Sequence, residues 1–368
     1  MASVNEKLLD AAIGHQIDLS KYSNGVVRKL IALLNRTDAD LFQQLLLAME
    51  RMPPESFTVD RLDTLLNAVR VVNARAHEEL GIELRKELQG LTEYEAGYQF
   101  DLFRATIPEI VPVSQITADA AYTAAMSRPF QGRLLSEWMA GIEVDKATRI
   151  RDAVRLGYVE GQTTAQIMQR VRGTRAKGYA DGIIEIDRRN LASVIRTAIG
   201  HTAATTRERF NRENGDVIKA LSWSATLDSR TSEICALRDG KQYTATAPHK
   251  PIGHKLPWLG GPGKAHWGCR SCELPVTKSF RELGIDVDEL PASERASMDG
   301  AVPADTSFGD WLRKQSAERQ DQVLGPTRGK LMREGGLTID KFASEKGDWL
   351  TLQELRERDA KSFVKAGI

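Results

Sequence analysis

The chain has 368 residues, 51 Lys+Arg against 50 Asp+Glu, and a formal net charge of +1. That length supports two or three domains with real cores, and the charge balance argues against a chain that binds polyanions over its whole surface. No apolar run reaches the length of a membrane helix and no charged start precedes an apolar run, while three clustered cysteines do not make a disulfide framework.

The first hundred residues read as helix. Val27, Leu30, Ile31 and Leu34 recur at helical spacing, and Thr37 with Asp40 resembles a capping box before Leu41, Leu45 and Met49. Pro53-Pro54 is the expected stop, and Leu62, Leu65, Leu66, Val69, Val72, Ala76 and Leu80 then share one broad face. We expect residues 1–105 to form a helical arm or bundle. Pro108 and Pro112 break the pattern, since proline lacks a donor and pushes its predecessor out of the helical region. Helices should resume from Leu134 to Gln169, with Trp138 and Met139 in the core. A Gly-containing linker at 173–182 should lead to a Leu191–Phe210 helix buried along Leu191, Val194, Ile195, Ala198 and Ala203. Residues 106–215 are thus expected as a helical domain leading into a core at 216–280.

Strand signal is confined to 217–280. Leu221, Trp223 and Ala225 alternate with Ser222 and Ser224, the pattern of a strand with one buried face. Asp228 or Ser229 can cap a short helix carrying Cys235, and Asp239-Gly240 supplies a turn. The Pro/Gly-rich stretch 245–264 reads as a loop returning the chain to His266. Gly260-Gly261-Pro262-Gly263-Lys264 lacks phosphate-loop spacing and reads as a rigid turn. Beyond Pro291 the chain loosens to about Ser307, and Thr351 with Glu354 starts a last helix, giving a linker and helical C-terminal region over 281–368. The expected fold class is mainly α with a small α+β core: a helical N-terminal region, a strand-helix-hairpin module with a Cys/His cluster, and a helical C-terminal tail.

All three cysteines lie in that module. Cys235, His266, Cys269 and Cys272 form a Cys…His-x2-Cys-x2-Cys set, and thiolate with imidazole is what tetrahedral Zn²⁺ takes. Three readings stand: a structural zinc, buried free thiols beside a loop-capping histidine, or a thiol-hydrolase triad of Cys235, His266 and Asp228 or Asp239. His249 and His254 are expected in solvent, and His15, His77 and His201 as surface or packing residues on helices. Arg170, Arg172, Arg175 and Lys177, with Arg188 and Arg189, form local basic runs that read as a solvated face or as nonspecific DNA contacts. Trp223, Trp258 and Trp267 read as packing rather than stacking platforms.

The ordered string Trp223, Asp228, Arg230, Thr231, Cys235, Asp239, Gly240, His266, Cys269 and Arg270, closed by Leu274-Pro275-Val276, resembles the core of the phage Mu F-like head morphogenesis family, the minor head or minor capsid proteins. Gly161 to Ile167 and Leu191 to Ala198 resemble that family's preceding helices, and Phe308 to Leu312 with Leu324 to Arg328 its tail. The chain departs from the richer motif at Ser232 and Ser271, where some relatives carry cysteine, and Cys272 is displaced by one; the resemblance therefore favours Cys235, His266 and Cys269 as ligands. It implies a non-enzymatic virion component made in the host cytoplasm, contacting portal or major capsid protein, with DNA as a nonspecific contact and no membrane. The alternatives are a head-like module before a toxin whose effector lies in 281–368, and a zinc-dependent hydrolase.

Overall fold

The computed structural model describes residues 4–52, 58–279, 281–283 and 294–368. They form two compact units, each assembled from separated stretches of chain: the first from Met1–Ser20, Thr92–Ala121 and Ala203–Ile368, the second from Lys21–Leu91 and Tyr122–Thr202. Helices α1 (Val4–Glu50), α3 (Asn67–Thr106), α4 (Ala118–Ser127) and α7 (Ile183–Glu213) contribute residues to both.

The second unit is helical, adding α2 (Val59–Leu65), α5 (Leu135–Val159) and α6 (Thr164–Arg172). Leu41, Leu45 and Met49 of α1 meet Leu62, Leu66 and Val69, with Ile150, Val154, Ile167 and Val171 from α5 and α6. Thr37 does not cap a new helix, because α1 runs through it unbroken; its hydroxyl donates to Leu34 O at 2.9 Å, as threonine does inside a helix. Pro53-Pro54 lies outside the described residues, and α1 ends at Glu50. The periodic run after it divides at Leu66, the C-cap of α2. Met139 is buried as expected, whereas Trp138 is half-buried and donates its indole N–H to Phe130 O at 3.0 Å. Thr163 and Gln166 form a reciprocal capping box opening α6.

One helix apiece supplies the charges of a buried knot in this unit. Lys146 of α5 reaches Asp187 of α7 at 3.3 Å and Asp38 of α1 at 3.6 Å, while His77 of α3 lies 3.7 Å from Asp187. His77 also bonds Asn73 O through Nδ1 at 2.9 Å. It is a packing histidine, as is His201, whose Nε2 bonds Ala125 O at 3.1 Å.

The first unit holds the sheet. Strands β1 (Ile218–Ser224), β2 (Gln242–Thr244), β3 (Pro251–Ile252) and β4 (Cys272–Thr277) pair antiparallel in the order β3-β2-β1-β4. The 245–264 segment is therefore more than a loop, since β3 returns along β2. Leu221 opposes Tyr243, and Trp223 opposes Glu273. Trp223 is fully buried and meets Trp258 edge-on at 5.7 Å.

Val4, Leu8, Ala96, Phe103 and Phe210 pack in the same cluster as Trp223, and Asn5 Oδ1 accepts from Thr277 N at 2.9 Å. The opening residues thus pack with the sheet, because α1 and the end of α3 carry apolar residues that the sheet alone would leave wet. His15 is buried there with Glu95, its Nε2 2.5 Å from the carboxylate, and stacks on Tyr98 at 4.0 Å.

Strand structure also extends beyond 280. β5 (Glu294–Ser297) and β6 (Gly300–Pro303) form a hairpin where the sequence reads as loose chain. The C-terminal region follows as α9 (Phe308–Arg313), α10 (Ala317–Leu324), α11 (Pro326–Lys330), α12 (Leu352–Arg358) and α13 (Ala360–Lys365). Thr351 and Glu354 make the expected capping box at α12. Phe308, Trp311, Leu331, Phe342 and Phe363 gather around Leu227, Ala236 and Leu237, so this region shares a core with the module.

Candidate metal centre

Helix α8 (Glu233–Arg238) starts at Ser232, not at Asp228 or Ser229: the Ser232 hydroxyl accepts from Cys235 N at 3.3 Å. The cap leaves Cys235 in the first turn with its side chain inward. Asp239 ends the helix, and Gly240 takes φ +74° to turn into β2.

Asp228 has a different task. Its carboxylate accepts Arg270 Nη1 at 2.5 Å and Nη2 at 2.8 Å, together with Arg230 N at 2.9 Å and the Thr231 hydroxyl at 3.2 Å. This bidentate pair fastens the strap that leads into α8 to the strap bearing His266 and Cys269. Burial pushes the Asp228 carboxyl upward, but Arg270 and the Arg230 amide outweigh it and hold it below its usual range.

The two straps bring three ligand groups together. Cys235 Sγ lies 3.2 Å from His266 Nε2 and 3.6 Å from Cys269 Sγ, and all three donor atoms fall within 4.8 Å of one another. His266 Nδ1 is 3.0 Å from Trp267 O. A carbonyl only accepts, so Nδ1 carries the proton and Nε2 presents its lone pair to the sulfurs. Gly263 N donates to Cys269 Sγ at 3.3 Å. The hydrogen bond from Cys235, opposed by burial, lowers the Cys269 thiol to about 7, while that same bond and burial push Cys235 well up. His266 is raised by Cys235 against burial.

These separations fit a metal. Zinc bonds of about 2.3 Å to sulfur and 2.0 Å to nitrogen, tetrahedrally arranged, put sulfur about 3.8 Å from sulfur and about 3.5 Å from nitrogen. The Cys/His/Cys group can therefore hold a zinc-type cation with small adjustments. Cys272 stands outside it: the residue opens β4 opposite Ser224, and complete burial raises its thiol. A β-strand turns successive side chains to opposite faces, so the Cys272 sulfur is committed to the sheet.

The remaining motif residues support this arrangement. Asp239 accepts Ala225 N at 2.7 Å, Phe308 N at 2.8 Å and Arg295 Nη1 at 3.1 Å, all buried. Arg295 was invisible as a site residue in the sequence, being a lone arginine in a stretch without periodicity. Gly263 was equally hidden, since its contribution is a backbone N–H. His249 is buried against Trp258 rather than solvated, with ring centroids 4.8 Å apart, because β3 folds it under. His254 is half-buried and bonds Gln242 O through Nε2 at 2.9 Å. Trp258 packs as expected, whereas Trp267 is 39 % exposed. In the basic runs, Arg170 pairs with Glu160, Arg188 with Asp38 and Lys177 with Asp181.

Residues 148–274 match the family model described as Phage Mu protein F like protein. This segment is phage Mu F-like. The match runs from within α5 to β4, and so takes in Cys235, His266, Cys269, Asp228 and Arg270. Neither the curated proteins nor the solved structures give a match. Among the described residues, no helix is long and apolar enough to cross a membrane.

Proposed function

We propose that this chain is a minor head protein of a tailed phage or prophage, a non-catalytic part of capsid assembly that joins the portal or inner shell of the virion. The observation that carries the reading is the Mu F-like segment over 148–274, in which the matching Asp and Arg form one bidentate clamp around the Cys/His group. The Mu F-like match supports a role in phage head morphogenesis, and partners among head proteins follow from it. Portal and major capsid protein are the proposed partners, with DNA as a nonspecific backbone contact through exposed residues such as Arg175.

The metal group acts here as a structural staple. A zinc held by Cys235, His266 and Cys269 would join α8 to the returning strap, giving a loop-rich module stability that its small sheet cannot supply. The toxin reading gains no support from the C-terminal region, whose helices share a core with Leu227 and Leu237 of the module.

The test is affinity purification of the tagged full-length protein from phage-producing cells. Portal or major capsid protein in near-stoichiometric ratio is the expected result. A small dedicated inhibitor in their place would sink the head-protein reading.

A further inference from the structure

The metal group is one ligand short of a closed tetrahedron, and a serine hydroxyl lies against its histidine ligand. Ser232 Oγ lies 2.8 Å from His266 Nε2, the nitrogen that faces the sulfurs. It is three residues before Cys235 and caps the same helical turn, so its hydroxyl and Cys235 Sγ share one rim of the site. Cys272, the other thiol in this part of the sequence, is held on β4 beside Ser224 and outside the group.

Charge points the same way. Two thiolates and a neutral imidazole already neutralise a divalent cation. A third thiolate would leave a net negative site, and the neighbouring Arg270 is already engaged by Asp228. A serine hydroxyl is a hard, neutral donor and a poor direct ligand for a zinc-type ion beside two thiolates, but it hydrogen-bonds water well.

We propose that Ser232, and not Cys272, marks the fourth corner of this metal site, so that a zinc-type cation is held by Cys235, His266 and Cys269 while a water bonded to the Ser232 hydroxyl completes the shell. The inference rests on the metal reading above and adds to it a definite ligand count and an exchangeable position. The staple is then weaker and more easily stripped than one with four protein ligands.

The experiment loads metal-free full-length protein, kept reduced, with Co²⁺ and reads the thiolate-to-cobalt charge-transfer band, then displaces cobalt with Zn²⁺ against a chromophoric chelator. The wild-type band should correspond to two thiolates. S232C should place a third thiolate at the corner, raising the band by about half and tightening zinc by about tenfold or more. C272A should change neither. An S232C protein with an unaltered band and affinity would overturn the proposal. So would a C272A protein that keeps its far-UV spectrum but loses band intensity as C269A does. If the wild-type chain takes up no metal, the staple reading falls together with the inference; if it takes up metal through Cys272, the inference alone falls.

Discussion

Replacing Asp228 by asparagine keeps the size of the side chain and removes the charge that Arg270 grips with two nitrogens. Charge-assisted hydrogen bonds of this kind are each worth about 1.5–3 kcal/mol, so D228N should lose about 2–3 kcal/mol in denaturant unfolding near pH 7. The pH dependence has a definite sign. The folded carboxyl titrates below its unfolded value of about 3.9, held there by Arg270 and the Arg230 amide against burial. Its contribution is therefore present above that value and lost as pH falls through the folded pKa. The gap between wild type and D228N should stay constant from pH 7 to about 5 and close only under more acid conditions. A gap that closes between pH 7 and 6 would assign the stabilisation to a histidine instead. The motif made Asp228 and Arg270 legible in the sequence as separate members of one ordered string; what the sequence hid was their partnership across 42 positions, because nothing local marks a long-range pair.

At the level of elements, the hairpin β5–β6 and the knot of unit-two helices are the least local features. Arg295 donates to Asp239, Ala225 O and Thr306 O while 5 % exposed, so the hairpin is fixed to the module by one fork. Breaking a buried ion pair by deleting one partner costs about 3–5 kcal/mol. R295A should lower the unfolding free energy by that amount, and R295K should recover little, because an ammonium cannot reproduce the planar fork. Full recovery by lysine would reduce the contact to simple charge. In the helical unit, K146M should leave Asp187 buried without its lysine, while Asp38 keeps Arg188. A loss of about 3–5 kcal/mol is expected, with part regained in K146M/D187L as the second charge is removed. If the double variant were worse than the single, the knot would not be a mutual charge arrangement. These two features explain which elements were legible. Leu221 and Trp223 on their strand, the α12 capping box and the Leu191 to Ala203 stripe follow from spacing within one element, and the structure has them as read. The hairpin and the α1 course do not: four residues per strand give no period, and a threonine followed by an acidic residue has the letters of a cap wherever the surrounding helix simply continues.

Across the whole molecule, the interleaved course of the chain decides how an assembly role can be tested. Deleting residues 1–105 would remove Val4, Leu8, Ala96 and Phe103 from the cluster that holds Trp223, along with Asn5 from the end of β4. Loss of head-protein binding by such a truncation would then report a collapsed core and say nothing about docking. Substitutions at exposed apolar positions avoid this. Ile17 is 50 % exposed and Ile82 54 % exposed; they lie on α1 and α3, the long N-terminal helices that we propose as the docking elements. Charged replacements there should disturb stability little, since surface changes away from special features fall within about 0.5 kcal/mol. They should cost affinity if a partner's apolar surface covers them. The expected outcome for I17E/I82E in the full-length protein is an unchanged melting temperature with at least a tenfold drop, on the order of 1.4 kcal/mol, in recovery of portal or major capsid protein from phage-producing cells. Undiminished recovery at an unchanged melting temperature would move the docking surface away from these helices, to the C-terminal region or the module, while leaving the head-assembly reading intact; only absence of head proteins with the wild-type chain would remove that reading.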